Sequence, residues 1–426
     1  MKRILTLSVL TMIMAVPIPA QENEIIKTGW NFGPLPVVGF DSDLGFQYGL
    51  CCDIFNYGDG TNYPQYNYKI NVEASTYTKG SSILRTYGDF KTLIPDGKLF
   101  FDITYFNAPK FGFYGYNGFA QTFDPDRSIP ATLPDGTKSG YYMMSRNQFR
   151  ALASVQKTIT GNFSAALGLA YYHISTDRLD LKDYYGQVTL YDEYLDAGLI
   201  RNYEKNGGNV TQFRAGMVYD TRDHDSDPTS GENIEVSLVY SPDMIDGLGF
   251  DNLGLYLSMS QYKSILSDRL TFAYRLLAQA KLWGEIPFYF TNNINSMFFR
   301  KMYTEGLGGN ASLRGINRNG VLSEGFAMCN AEIRWRIYDF KFINQNWQIA
   351  TNPFFDAGMA IQPYRLEEQK NSGLYSGTED GVHCTAGLGF KLIMNHNMVV
   401  SFEAAKALES NDGTGLWSNI GFNYLF

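Results

Sequence analysis

DRLTFAYRLLAQAKL, residues 268–282, alternates between two kinds of side chain along its whole length. Leu270, Phe272, Tyr274, Leu276, Ala278, Ala280 and Leu282 fall on one face of an extended chain, and Arg269, Thr271, Arg275, Gln279 and Lys281 on the other. Successive side chains of a strand point to opposite sides, so this is a strand with one greasy and one polar face. A strand of a soluble sandwich alternates in the same way. Length narrows the choice: strands of soluble domains cluster near about five or six residues, whereas a strand tilted through a bilayer needs about 9–11.

The same period recurs along the chain. In NAEIRWRI (330–337), Ile333, Trp335 and Ile337 oppose Glu332, Arg334 and Arg336. In the last run, WSNIGFNYLF (417–426), Ser418, Ile420, Phe422, Tyr424 and Phe426 share one face, and Asn419, Gly421, Asn423 and Leu425 the other. Sixteen such runs are centred on 35–41, 44–57, 65–78, 82–93, 97–107, 143–158, 162–175, 210–221, 232–241, 251–263, 268–282, 324–338, 346–361, 381–394, 398–407 and 416–426. Tight links follow the even-numbered runs: NYGDGTNYP, IPDG, TITG, 222–231, ILSD, 339–345 and NHN. Long links follow several odd-numbered ones: 108–142, 176–209, 283–323 and 362–380. Short turns on one side and long loops on the other are the pattern of a transmembrane barrel. The expected fold is all-β, a single antiparallel transmembrane barrel of about 16 strands that closes on itself because lipid satisfies no backbone group. The Gly-, Tyr-, Asn-, Asp- and Pro-bearing link 108–142 suits a surface loop on the outer side.

Composition agrees. The 426 residues include 30 Tyr, 30 Phe and 42 Gly, with 18% charged residues and a formal net charge of −8. A many-stranded protein has this balance, and the scattered Lys and Arg argue against nucleic acid, which needs a clustered basic patch. Lys2 and Arg3, an apolar run from Ile4 to Val16, and then Pro17, Pro19 and Ala20 have the order of a secretory signal peptide. The expected organisation is a signal peptide over 1–20, a short segment over 21–34 and the barrel over 35–426. Cys51, Cys52, Cys329 and Cys384 include no CxxC pair, and the adjacent Cys51 and Cys52 point to opposite faces, so all four are expected to be packing residues.

Three motifs are more specific. The chain ends Asn419-Ile420-Gly421-Phe422-Asn423-Tyr424-Leu425-Phe426, and Gly421, Tyr424 and Phe426 resemble the C-terminal β-signal recognised by barrel-assembly machinery. VYDTRDHDSDPTSGENIEVSL (218–238) resembles the "DTRD…P…G" turn of the BamA/TamA (bacterial surface antigen) superfamily, with Asp220, Arg222, Asp223, Pro228 and Gly231 in the matching places. By strand count this turn lies on the periplasmic side. Asp223, Asp225 and Asp227 alternate as in a calcium loop, but Pro228 stands where that loop needs Gly and Ile234 where it needs Glu, so turn formation is the better account. GGNASLRGINRNG (308–320), between the eleventh and twelfth strands, resembles the family's "(V/L)RG(F/Y)" loop, with GEIPFY (284–289) upstream. Glu332-Ile333-Arg334 and Phe355-Asp356-Ala357-Gly358 resemble its "ExR" and "FDxG" strands, while Ile316 stands where an aromatic is usual.

The resemblance covers nearly the whole mature chain. It implies an outer-membrane barrel of a diderm bacterium whose Arg314 loop folds inward and meets the inner wall. Strand parity turns Glu332 and Asp356 toward the lumen, where a guanidinium pairs bidentately with a carboxylate and Gly315 lets the backbone come close. About a dozen residues separate Ala20 from the first strand, too few for a domain. A barrel without the family's periplasmic POTRA modules is therefore expected.

The resemblance further implies help in outer-membrane protein assembly, insertion or translocation, with lipid, the barrel-assembly machinery and unfolded outer-membrane proteins as partners. The machinery would meet the chain as its client and as a complex to which it is an accessory. The alternative is a passive pore or structural barrel. No cofactor or metal is expected. Catalysis is not expected either: His173, His224, His383 and His396 stand in no recognisable nucleophile motif, and His383 and Cys384 point to opposite faces.

Overall fold

The computed structural model describes residues 25–127, 139–180, 188–291, 293–298, 306–413, 415–422 and 424–426. The expected signal peptide, 1–20, lies outside the described residues. The strands are β1 Trp30–Asp41, β2 Gly45–Asn56, β3 Tyr68–Tyr77, β4 Ser82–Phe90, β5 Gly97–Gly112, β6 Met143–Thr160, β7 Phe163–Asp177 and β8 Gly207–Asp220 in the first half. The second half has β9 Gly231–Ser241, β10 Asn252–Ile265, β11 Ser267–Gly284, β12 Gly325–Phe342, β13 Gln345–Gln362, β14 His383–Met394, β15 Met398–Ala407 and β16 Trp417–Phe422. Each strand pairs with its sequence neighbours and β1 meets β16, giving a closed antiparallel barrel. The first strand begins at Trp30, ahead of the expected residue 35.

Burial follows strand parity. In β11 Phe272, Leu276 and Leu282 are exposed on the outer wall, while Thr271, Arg275 and Gln279 are buried in the lumen. In β13 Phe355 and Met359 face out, and Asn352, Phe354 and Asp356 face in. At the short-turn end rings lie side by side: Trp30 with Tyr68, Tyr68 with Phe90, Phe163 with Tyr219, and Phe340 with Tyr338 and Trp347. An aromatic girdle of this kind marks the level where lipid headgroups begin.

Two expectations are corrected. The link after the fifth strand was expected as a surface loop over 108–142; instead β5 continues to Gly112 and the following residues turn in over the mouth. Tyr116 is packed edge-on against Phe113, Tyr194 and Tyr364, with ring centroids 6.2, 4.8 and 4.7 Å away. Tyr194 comes from the helix Leu190–Asp196, which Thr189 and Asp192 cap reciprocally. Asn117 ties the β5–β6 link to the β13–β14 link, donating to the Tyr364 carbonyl at 2.8 Å and accepting from the Tyr364 N–H at 2.6 Å. A polar-looking link thus carries the aromatic core of a lid, because rings that cannot face water or lipid bury against one another.

The second correction concerns the carboxyl terminus. The last strand was expected to run to Phe426 with Tyr424 and Phe426 on its largely apolar face. β16 stops at Phe422, and Tyr424 and Leu425 are buried among luminal side chains.

Tyr116→Ala removes the ring on which three lid segments converge, a loss of about 3–5 kcal/mol by analogy with other large aromatic deletions. The expected outcome is a barrel with unchanged strand content but more frequent channel openings in planar bilayers. Native-like silence of this variant would show that the lid is not what closes the mouth.

Candidate functional site

Arg314 is 0% exposed. Its guanidinium donates from Nε and Nη2 to the two carboxylate oxygens of Asp356 at 2.9 and 2.8 Å, and from Nη1 to Glu332 at 2.6 Å and Glu403 at 3.0 Å. Its backbone N–H also reaches Asp356, at 3.1 Å. The guanidinium carbon lies 3.5 Å from the centroid of the Phe354 ring. The cation therefore has carboxylates around its edge and a ring on its face, as a planar, delocalised charge allows and an ammonium does not.

The structure brings together all four residues expected of this lock. Gly315 has a φ of +105°, and a Cβ there would come within 3.1 Å of Ala405 and 3.2 Å of the Lys406 backbone, so the loop lies directly on β15. In β13, Gly358 leaves room for Leu313: a Cβ at 358 would be 3.0 Å from its methyl carbon. Arg275 and Asn330 hold the carbonyls of Ala311 and Ser312 at 3.1 and 2.7 Å. Ile316 does not take the place of a stacking aromatic; it packs with Leu307, Leu313 and Val321, and the ring under Arg314 comes from β13.

Sequence reasoning missed Glu403, Lys391 and Phe354. Lys391 donates to Glu403 at 2.7 Å, and Arg334 donates to Glu332 at 2.9 Å. The result is an alternating network of three cations, Arg314, Arg334 and Lys391, and three carboxylates, Glu332, Asp356 and Glu403. Glu403 shares the inward parity of Ser401 and Ala405, so alternation in VVSFEAAKA carried the signal for it. Its pairing with Arg314, 89 positions away, did not show.

The network extends to the carboxyl terminus. Arg334 lies over the rings of Tyr424 and Phe426, at 4.0 and 5.0 Å, and donates to the Phe426 carbonyl oxygen at 2.7 Å. Gly421 stays in the sheet opposite Ser401. The residues expected of a β-signal are therefore divided, one in the wall and two in the lumen.

The same loop spans the junction of the first and last strands. Arg318 donates to Asp41 of β1 at 2.6 Å and through its N–H to Asp43 at 2.9 Å, while Asn310 donates to Asn419 of β16 at 3.3 Å. There the two strands pair, among the described residues, at Phe40–Ile420 and Asp41–Asn419, and Ser42 adds one side-chain rung, accepting from the Ser418 N–H at 2.9 Å. By contrast β1 and β2 are paired continuously from Trp30–Asn56 to Asp41–Gly45.

Residues 66–423 match the Omp85 superfamily domain. The chain belongs to the Omp85 superfamily. The structure of BamA from Haemophilus ducreyi lacking POTRA domains 1–3 is similar over 93% of this chain and 70% of that one, with 15% identity and a TM-score of 0.55. CdiB from Escherichia coli is similar over 95% of this chain and 64% of its own, less than two thirds of its length, with 11% identity and a TM-score of 0.54. At these identities the likeness is one of fold. No curated protein sequence matches the chain.

An Omp85 barrel is a barrel of the bacterial outer membrane, so the short turns lie on the periplasmic side. The β8–β9 turn reaches across that mouth. Arg222 grips Asp220 at 2.9 and 2.7 Å and Asp225 at 3.3 Å, and Asp225 also pairs with Lys91. Asp227 meets Arg336 of β12 at 2.8 Å. Asp223 accepts from the N–H groups of Thr229 and Ser230 at 2.9 and 3.2 Å, Pro228 is buried, and Gly231 takes a φ of +91° where the chain re-enters the sheet. The three alternating aspartates are each held by this turn or by a cation.

Arg314→Ala leaves the buried Asp356 carboxylate without its cation and takes one of two cations from Glu332 and from Glu403, a change that costs about 3–5 kcal/mol in comparable sites. The expected readout is a lower temperature for loss of the compact, heat-modifiable form on gels. Glu403→Gln, which removes one of three carboxylates, should shift it less. Equal melting of Arg314→Ala and the native protein would show that the network does not hold the loop.

Proposed function

We propose that this barrel assists the assembly, insertion or translocation of other outer-membrane polypeptides by opening its wall between β1 and β16. One observation carries the reading: the two strands pair at Phe40 and Asp41 and leave the β1 edge from Trp30 to Gly39 without a strand partner among the described residues. That edge faces the periplasmic half of the membrane, the side from which unfolded outer-membrane proteins arrive. A free strand edge is a template for a further strand. The step is a non-covalent exchange of backbone hydrogen bonds and needs no catalytic residue, nucleotide or cofactor.

The Arg314 loop suits this task as a brace. It grips β12, β13 and β15 through the charge network and touches β1 and β16 at the closed end of the junction. The wall can then part below Phe40 while the outer end stays joined. A partner protein of the barrel-assembly machinery fits the same reading, as an accessory relationship. A passive pore fits less well, because the aromatic lid covers one mouth, the β8–β9 turn crosses the other, and the Arg314 network lies in the bore between them.

Depletion of the protein in its native bacterium should lower the abundance of other barrels in the outer-membrane proteome. Joining the opening part of the junction covalently through Val38→Cys and Phe422→Cys, opposite each other in the continued register and in a chain otherwise free of cysteine, should abolish complementation until reductant is added. An unchanged proteome accompanied by loss of solute uptake alone would overturn the proposal in favour of a pore.

A further inference from the structure

The carboxyl-terminal residues leave the sheet at a point where β1 lacks the N–H donors that their carbonyls would need. Strand parity shows why. The Tyr57 N–H donates to the Gly29 carbonyl at 2.9 Å, so odd-numbered positions of β1 exchange hydrogen bonds with β2. The carbonyls of Asn56 and Phe46 instead accept from Asn67 and Thr78 on the β3 side, at 2.7 and 2.9 Å. Asn56 and Phe46 stand opposite Trp30 and Phe40 in an unbroken register. Even-numbered positions of β1 therefore direct their backbone groups away from β2 and toward β16.

Two of these even positions are Pro34 and Pro36. Proline has no N–H, so the junction edge of β1 lacks two successive donors in its middle. Phe40 stands opposite Ile420; continuing that register places Val38 opposite Phe422, Pro36 opposite Tyr424 and Pro34 opposite Phe426. Phe422 is the last residue of β16. The strand thus ends where its next two outward-bonding carbonyls would face prolines within lipid, and an unmet carbonyl there is strongly unfavourable. In the lumen the Phe426 carbonyl has the Arg334 guanidinium, at 2.7 Å, and both rings have its face.

We infer that Pro34 and Pro36 keep the barrel from zipping shut: by removing the donors opposite Tyr424 and Phe426, they divert the carboxyl terminus into the lumen and hold the periplasmic half of the β1 edge open. Arg334 is the receiving site for the diverted tail rather than the force that draws it out of the wall. Both prolines project outward, away from the luminal network, so their effect acts through the backbone alone. The inference concerns the junction itself and holds whatever passes through it.

The test is disulfide formation between Leu35→Cys and Leu425→Cys in a chain free of other cysteines. In the continued register these two positions face each other as a close, non-hydrogen-bonded pair. With the native prolines the disulfide should form in a small fraction of molecules. With Pro34→Val and Pro36→Val it should increase by about tenfold or more, the factor set by restoring donors in an apolar setting. Pro36→Val alone, which restores only the donor opposite Tyr424, should give an intermediate gain and covers the case in which the double variant fails to fold. Heat-modifiable migration reports folding in each. Arg334→Ala with the prolines kept should free the tail without forming the disulfide. Equal cross-linking with and without the prolines, or cross-linking produced by Arg334→Ala alone, would overturn the inference.

Discussion

A peptide group facing hydrocarbon has no hydrogen-bond partner except the neighbouring strand, and this constraint organises the whole molecule. It requires the sheet to close, makes each strand long enough to cross the membrane, and puts every irregular segment either beyond the lipid or inside the bore. Fifteen of the sixteen junctions satisfy it along most of their length. The sixteenth, between β1 and β16, satisfies it among the described residues at the Phe40–Ile420 backbone pair and through one serine side chain. The weak place in the wall is local and has identifiable atoms on both sides.

The luminal network is the counterpart of that weakness. Charges placed in the bore must find one another, since neither lipid nor bulk water reaches them. Arg314, Arg334 and Lys391 alternate with Glu332, Asp356 and Glu403, and the chain of contacts runs from the carboxyl terminus through Arg334 and Glu332 to the inward loop. That loop then reaches Asp41 and Asn419 at the closed end of the junction. A disturbance of the tail is thereby connected, contact by contact, to the brace over the wall. The β8–β9 turn joins the same side of the barrel, because Arg336 of β12 holds its Asp227.

Much of this was legible in the amino-acid order. The alternation in DRLTFAYRLLAQAKL and the sequence of short and long links led to the barrel and its strand number, and parity turned Glu332 and Asp356 inward. These features depend on residues two apart or on spacing along the chain. Glu403 and Lys391 carried the same parity signal, but nothing local marks them as partners of an arginine in a distant loop. The link after β5 misled because its glycines and asparagines resemble a solvated loop, whereas its Phe113 and Tyr116 had to bury against rings from two other links.

The last strand shows where the division falls. WSNIGFNYLF by itself determined an amphipathic strand, since side-chain alternation is a property of one extended segment. Whether each of its peptide groups finds a partner is a property of two segments, and the second lies at the opposite end of the chain. Only the tertiary structure set Pro34 and Pro36 against the continuation of β16 and Arg334 beneath it, because hydrogen-bond register is decided between strands and is written in neither one alone.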